Sequence, residues 1–263
     1  MSIRLLTSVL ILSCIATFVA VAQEPYDVVI SGGRVMDPET GRDEIANIGI
    51  IGHQIQAITT DDIQGRRTID ASGQIVAPGF IDILASMGLN KAAHEFKIGD
   101  GVTSVLGMHG GPLDVADYNR KHAAVGPLVN YAATVGHADL RVAVGATDRY
   151  LPATPEQIEA MRPLAVQAIR EGAVGIGFGI NYTPGASYEE IFALFEVAAA
   201  EGVPCHLHAR YKGNVFPFTM SLAAMEIVSI AAATGAQAQV AHLISSTVGS
   251  APLSIALLEG AAA

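Results

Sequence analysis

From residue 80 onwards, apolar runs of strand length alternate with helical segments, and this alternation restricts the fold more than any other feature of the sequence. Each run is short and bounded by turn residues, as expected for a strand that is buried on both faces. The runs span residues 80–84, 103–106, 128–134, 174–180, 203–208 and 237–242. Six such repeats predict an α/β fold, either a parallel sheet or a partial (β/α) barrel of the TIM type with about six βα units.

Two of the intervening segments carry clear signals for the start of a helix. Thr154-Pro155-Glu156-Gln157 combines an N-cap, a proline at the first helical position and a glutamine at the third. Ser187-Tyr188-Glu189-Glu190 is predicted to form a second capping box, ahead of an apolar stripe. Both segments support the alternation of helices with strands.

A different pattern precedes the alternation, between Tyr26 and Pro78. Short β-type runs are separated by turn sequences such as Asp37-Pro38-Glu39-Thr40-Gly41 and Gly52-His53. This pattern predicts a small β-module over residues 23–77, followed by the α/β unit over residues 78–263.

Residues 1–22 are typical of a secretory signal peptide. Arg4 supplies the positive charge, residues 5–19 are mostly apolar, and Ala20-Val21-Ala22 provides a cleavage site. We therefore expect an exported protein, periplasmic or secreted, without membrane association after cleavage. An uncleaved membrane anchor is the alternative, although the apolar run is short for a bilayer span. The formal net charge of −10 argues against nucleic acid as a partner.

Histidines stand at the ends of two predicted neighbouring strands. The run 203–208 ends in His208, and the run 237–242 ends in His242. The carboxyl ends of parallel strands meet at one edge of a sheet, so two neutral imidazoles there can share one metal ion. His206 lies on the same face as His208 and could join them or fill a deeper layer. Histidines hydrogen-bonded within a core are the alternative interpretation.

A set of short motifs covers nearly all of the chain after the predicted signal peptide. They are residues 27–37, Pro78-Gly79-Phe80-Ile81-Asp82, Gly101-Val102-Thr103-Ser104, residues 172–177 with 181–186, and His208-x-Arg210 with His242. Together they resemble the amidohydrolase superfamily, in its N-acyl-D-amino-acid deacylase branch and that branch's N-acyl-D-glutamate deacylase-like members. The resemblance implies a metal-dependent hydrolase that cleaves the amide C–N bond of small anionic N-acyl amino acids.

The same resemblance assigns roles to individual residues. Zinc, or another divalent ion, is the implied cofactor. The implied metal ligands are His208, His242 and His109, the last at a position where the family carries Cys or Glu. The implied contacts to the substrate come from Tyr182, Arg210 and His137. No carboxylate matches the family's general base, so the catalytic base is unknown.

Two elements of the family pattern are missing from the sequence. Leu84 and Ser86 stand where the family has a His-x-His pair, and the sequence ends before the strand that would carry a catalytic Asp. A degenerate or C-terminally truncated amidohydrolase without activity, or an exported binding protein that retains the pocket, are therefore alternatives. A homo-oligomer is a further expectation, because a partial barrel exposes strand edges.

Overall fold

The computed structural model describes residues 25–85, 90–211, 219–244 and 251–262. The predicted signal peptide and Ser86 lie outside these residues. The chain divides into two compact units, with the boundary between Pro78 and Gly79. Among the described helices, none has the length and apolar character needed to cross a membrane.

The first unit is a five-stranded sheet. Its strands are β1 (Tyr26–Asp37), β2 (Arg42–Ile51), β3 (Gln54–Thr59), β4 (Gly65–Asp70) and β5 (Ile75–Val76). The strand order is β3-β2-β1-β4, and β5 also pairs with β1. The β1–β2 and β2–β3 pairs are antiparallel, and β4 and β5 run parallel to β1. Val35, Ala46 and Ile48 form the core of this sheet on its buried face.

The second unit contains only parallel strand pairs in its two described sheets. Its strands are β6 (Phe80–Asp82), β7 (Val102–Gly107), β8 (Asn130–Ala133), β9 (Val135–Gly136), β10 (Ile176–Gly179), β11 (Cys205–His208) and β12 (Ala238–Val240). The sheet orders are β6-β7-β8 and β9-β10-β11-β12. Thr134 links the two sheets, because its N–H donates to Gly107 O at 3.1 Å while the next N–H, of Val135, donates to Gly175 O at 3.0 Å. The predicted α/β fold with parallel strands is confirmed.

Helices separate these strands along the chain, except that Thr134 alone lies between β8 and β9. They are α1 (Lys91–Gly99), α2 (Val115–Ala124), α3 (His137–Ala143), α4 (Pro155–Arg170), α5 (Tyr188–Glu201), α6 (Thr219–Thr234) and α7 (Ala251–Ala262), with a 3-10 turn at Ile180–Tyr182. The capping box predicted at Thr154 is confirmed, with both of its hydrogen bonds present. At Ser187 the prediction was half wrong. Its side chain accepts from the Glu190 N–H, but the Glu190 carboxylate turns into the core to meet Arg141 and His137.

The main core lies around β9–β11 and the helices α3–α6. Its largest apolar side chains are fully buried, and they include Phe178, Phe195, Leu140 and Met161. Burial of side chains of this size contributes about 1.5–3 kcal/mol each to folding. Strand β11, which ends at His208, contributes Cys205 and Leu207 to this core.

Candidate metal centre

Three histidines that lie far apart in the sequence meet in space. His208 is the last residue of β11, His242 follows β12 by two residues, and His109 follows β7 by two residues. His208 Nδ1 and His242 Nε2 are 2.6 Å apart, at a distance at which one ring N–H donates to the other ring. His109, His208 and His242 each offer a ligand atom, and these atoms lie within 4.8 Å of one another. We call these three residues the histidine cluster.

The rings of the histidine cluster are spaced as imidazoles around one ion would be. The centroid of His109 lies 5.3 Å from that of His208 and 4.9 Å from that of His242. The centroids of His208 and His242 are 4.6 Å apart. Imidazoles bound to a tetrahedral zinc ion at the usual Zn–N distance have ring centroids about 5 Å apart. The side chains therefore fit a metal ion with little rearrangement.

The electrostatics of His109 also suit a metal ligand. Its Nε2 atom is buried and has no hydrogen-bond partner among the described residues. Burial, reinforced by the charges of the neighbouring histidines, lowers the pKa of His109 to about 4. The imidazole is therefore neutral at physiological pH, which is the protonation state that binds a metal. A buried ring nitrogen without a partner is costly, and an ion would satisfy it.

The loop that carries His109 packs closely on the neighbouring strands. A Cβ atom on Gly177 of β10 would lie 2.6 Å from both Met108 O and Gly110 N. A Cβ atom on Gly111 would collide with the Thr134 carbonyl oxygen. Glycine at these two positions is therefore what lets residues 107–111 approach the strands and place His109 in the cluster.

His242 has an unusual backbone conformation. Its φ angle is +34°, the only positive φ of a non-glycine residue among those described. This conformation is rarely adopted by residues with a side chain and costs of the order of 1–3 kcal/mol. No pattern in the sequence predicts it, because the conformation depends on how the chain leaves β12.

Tyr182 reaches the histidine cluster from the end of β10. It closes the 3-10 turn that follows this strand, and its ring centroid lies 5.0 Å from that of His208. The residue is 55% exposed. A molecule bound at the cluster could therefore contact this phenol.

Arg210 is buried in an ion pair, although the sequence predicted that it contacts the substrate. Its Nη2 lies 2.8 Å from Glu226 Oε1, and its Nη1 donates to Ala186 O at 2.8 Å and to Pro184 O at 3.2 Å. The side chains of Arg210 and Glu226 are 8% and 5% exposed. The nearby carboxylate offsets the charge of the guanidinium, and the contact with a substrate stays a prediction.

His137 occupies the first position of α3 and is completely buried. Its Nε2 lies 2.6 Å from Glu190 Oε1, and Arg141 Nη1 donates to both oxygens of this carboxylate at 2.7 Å. This buried ionic network joins α3 to α5, so it has a clear structural role. A contact between His137 and a substrate stays a prediction.

The sequence predicts that Leu84 replaces the first histidine of the family's His-x-His pair, and this stays a prediction. Leu84 bridges to Gly107 at the end of β7, and its apolar side chain is 44% exposed. The preceding carboxylate, Asp82, forms an ion pair of 2.5 Å with Lys97 and accepts from the Leu84 N–H. The described residues at the end of β6 therefore provide no imidazole that could bind a metal ion.

Two curated proteins are similar to this chain over most of its length. No protein-family model matches the chain. It is 34% identical to the N-acyl-D-glutamate deacylase of Alcaligenes xylosoxydans xylosoxydans over 250 residues, which cover 84% of this chain and 50% of that protein. It is also 34% identical to the D-aminoacylase of the same organism over 222 residues, covering 73% and 46% of the two chains. The chain thus spans about half the length of the curated relatives it matches.

A solved structure of an N-acyl-D-glutamate deacylase is also similar to this chain. The N-acyl-D-glutamate deacylase from Bordetella bronchiseptica, in complex with zinc and a phosphonate inhibitor, superimposes with a TM-score of 0.77. The sequences are 27% identical, and the match covers 91% of this chain and 56% of that one.

Proposed function

Because the chain belongs to the N-acyl-D-amino-acid deacylase branch of the amidohydrolase superfamily, we propose that it hydrolyses the amide bond of small anionic N-acyl amino acids. The relatives favour this function over an inactive relic or a binding protein. We also propose that the parallel strands β6–β12 are part of a (β/α) barrel, and that the protein is exported through its predicted signal peptide.

The observation that carries this proposal is the meeting of His109, His208 and His242 at the ends of three strands. These residues would hold a divalent ion, with zinc as the first candidate. Nitrogen donors from three imidazoles are a common set for catalytic zinc. When bound, such an ion supplies Lewis acidity and lowers the pKa of water.

The residues around the cluster would bind and orient the substrate. Tyr182 is exposed beside His208, so its hydroxyl can donate to the carboxylate of an N-acyl amino acid. Arg210 binds the carbonyl oxygens of Pro184 and Ala186, and it therefore fixes the loop that follows Tyr182. For Arg210 to contact the substrate directly, its guanidinium must either bind the substrate and Glu226 at the same time or break its ion pair with Glu226.

Metal binding and amide hydrolysis test the proposal separately. The purified chain should be stripped with a chelator and titrated with zinc by calorimetry, and then assayed for release of free amine from N-acetyl-D-glutamate and its L enantiomer. We expect about one equivalent of zinc to bind tightly and activity to depend on it. Binding of less than about one-tenth of an equivalent would reject the metal centre. The matched control is His53→Ala, a histidine in the exposed turn between β2 and β3.

A further inference from the structure

One more histidine packs against the cluster from a deeper position. His206 lies in β11, two residues before His208, and is only 1% exposed. Its ring centroid is 5.2 Å from that of His109. In the sheet register it stands opposite Gly177 of β10, the glycine against which Met108 O packs. His206 is therefore next to the peptide that precedes His109.

The carbonyl of Met108 lies within reach of the His206 ring. Among the described residues Nδ1 of His206 has no hydrogen-bond partner, so Nε2 is the nitrogen available to donate to this carbonyl. The Nε2–H then donates to the Met108 carbonyl oxygen, and the ring is the neutral Nε2–H tautomer.

The same carbonyl receives a second donor. Thr134 Oγ1 lies 3.2 Å from Met108 O and also 3.2 Å from Gly107 O. Two donors from different strand ends, an imidazole N–H and a hydroxyl, thus converge on the peptide bond between Met108 and His109. Mutation of groups that hydrogen-bond to the side chain of a metal ligand typically costs about 10-fold to 100-fold in metal affinity, and we use this range as a guide for groups that hold the ligand's backbone.

We propose that His206 is a positioning residue which, together with Thr134, fixes the Met108–His109 peptide so that the His109 imidazole is held in the metal centre. This inference rests on the proposed function, because it concerns the affinity of the same metal centre. It assigns a role to a histidine at a position where the family pattern has no functional residue.

The test compares two substitutions of one residue. His206→Gln keeps an N–H donor at nearly the position of Nε2, whereas His206→Leu keeps the size of the side chain and removes the donor. We expect His206→Leu to weaken zinc binding about 10-fold or more, and His206→Gln to stay within about threefold of the wild type. Thr134→Val should weaken binding in the same direction, and Thr134→Ser should not.

Two further measurements separate positioning from a general loss of structure. The visible absorption of the cobalt-loaded protein should change in His206→Leu and be retained in His206→Gln, because only the first releases His109. Thermal unfolding of the metal-free proteins reports any loss of stability independently. If His206→Leu does not fold, the Val and Ser variants of Thr134 decide the question.

Each outcome has one meaning. Equal zinc affinity of His206→Leu and the wild type would overturn the positioning role, as would equal losses in the Leu and Gln variants. If the wild-type chain binds zinc and either of these two results is obtained, only the positioning role of His206 is rejected. If the wild-type chain binds no zinc, the proposed function fails and this inference fails with it.

Discussion

His208 and His242, which are 34 residues apart in the sequence, place two ring nitrogens 2.6 Å from each other. The parallel pairing of β11 with β12 brings this about, because both strands end at the same edge of the sheet. The left-handed backbone of His242 then turns its ring toward His208. A strained residue held at such a place is typical of a functional site.

The first prediction concerns the two paired histidines. His208→Ala and His242→Ala should each weaken zinc binding by more than about 100-fold, which exceeds the loss typical of residues that only support a ligand. Calorimetric titration measures this loss, and His53→Ala serves as the unaffected control. Wild-type affinity in either variant would exclude that residue as a ligand.

The second prediction is a dependence of stability on pH. The pKa of His109 falls from the ordinary histidine value of 6.5 to about 4 in the folded state, because burial and nearby histidines disfavour its charge. Between these two pKa values the unfolded chain binds more protons than the folded chain. The free energy of unfolding is therefore highest above pH 6.5 and decreases as the pH falls toward 4.

Urea denaturation of the metal-free protein at pH 7, 5.5 and 4.5 measures this loss. The variant His109→Asn should show a smaller decrease in the free energy of unfolding over the same range, since it lacks the titrating ring. Identical pH profiles for the variant and the wild type would contradict the assignment.

The third prediction concerns the ionic network of Glu190, His137 and Arg141. Glu190→Gln leaves the buried guanidinium of Arg141 without its carboxylate, and removal of one partner of a buried pair costs about 3–5 kcal/mol. Chemical denaturation measures this change. The neighbouring variant Glu189→Gln, on the exposed side of α5, should change the free energy of unfolding by less than about 0.5 kcal/mol. Equal effects of the two substitutions would show that the network does not stabilise the fold.

The fourth prediction concerns Tyr182. Tyr182→Phe removes a hydroxyl that is proposed to donate to a substrate carboxylate, and such a bond is worth about 1.5–3 kcal/mol. We therefore expect kcat/KM for an N-acyl amino acid to fall about 10-fold to 100-fold while thermal stability is unchanged. Tyr150→Phe, also at an exposed tyrosine, is the control. Unchanged kinetics in Tyr182→Phe would remove this residue from the substrate site.

The fifth prediction tests the close approach at Gly177. In Gly177→Ala the new methyl group would meet Met108 O and Gly110 N at 2.6 Å, so the loop that carries His109 must move. We expect a loss of about 1–3 kcal/mol in stability together with weaker zinc binding. Gly260→Ala, in α7, has open space around the new methyl group and should stabilise the chain slightly. Normal zinc binding by Gly177→Ala would show that the loop tolerates the shift.

The sequence by itself determined the local elements of this protein. The alternation of apolar runs with capped helices was sufficient to predict parallel strands, because strand and helix periods and N-cap residues act over a few neighbouring positions. Motifs such as Pro78-Gly79-Phe80-Ile81-Asp82 and His208-x-Arg210 were sufficient to identify the family. The placement of histidines at strand ends pointed to the correct edge of the sheet for His208 and His242 to meet.

Only the tertiary structure decided which partner each polar side chain has. Glu190 looked like a capping residue of its own helix, yet its carboxylate lies against Arg141 from another helix. Arg210 looked available to a substrate, yet Glu226 occupies its guanidinium. These pairings join residues that are 49 and 16 positions apart. The energy of a buried charge depends on what surrounds it in space, and a local sequence pattern does not specify those surroundings.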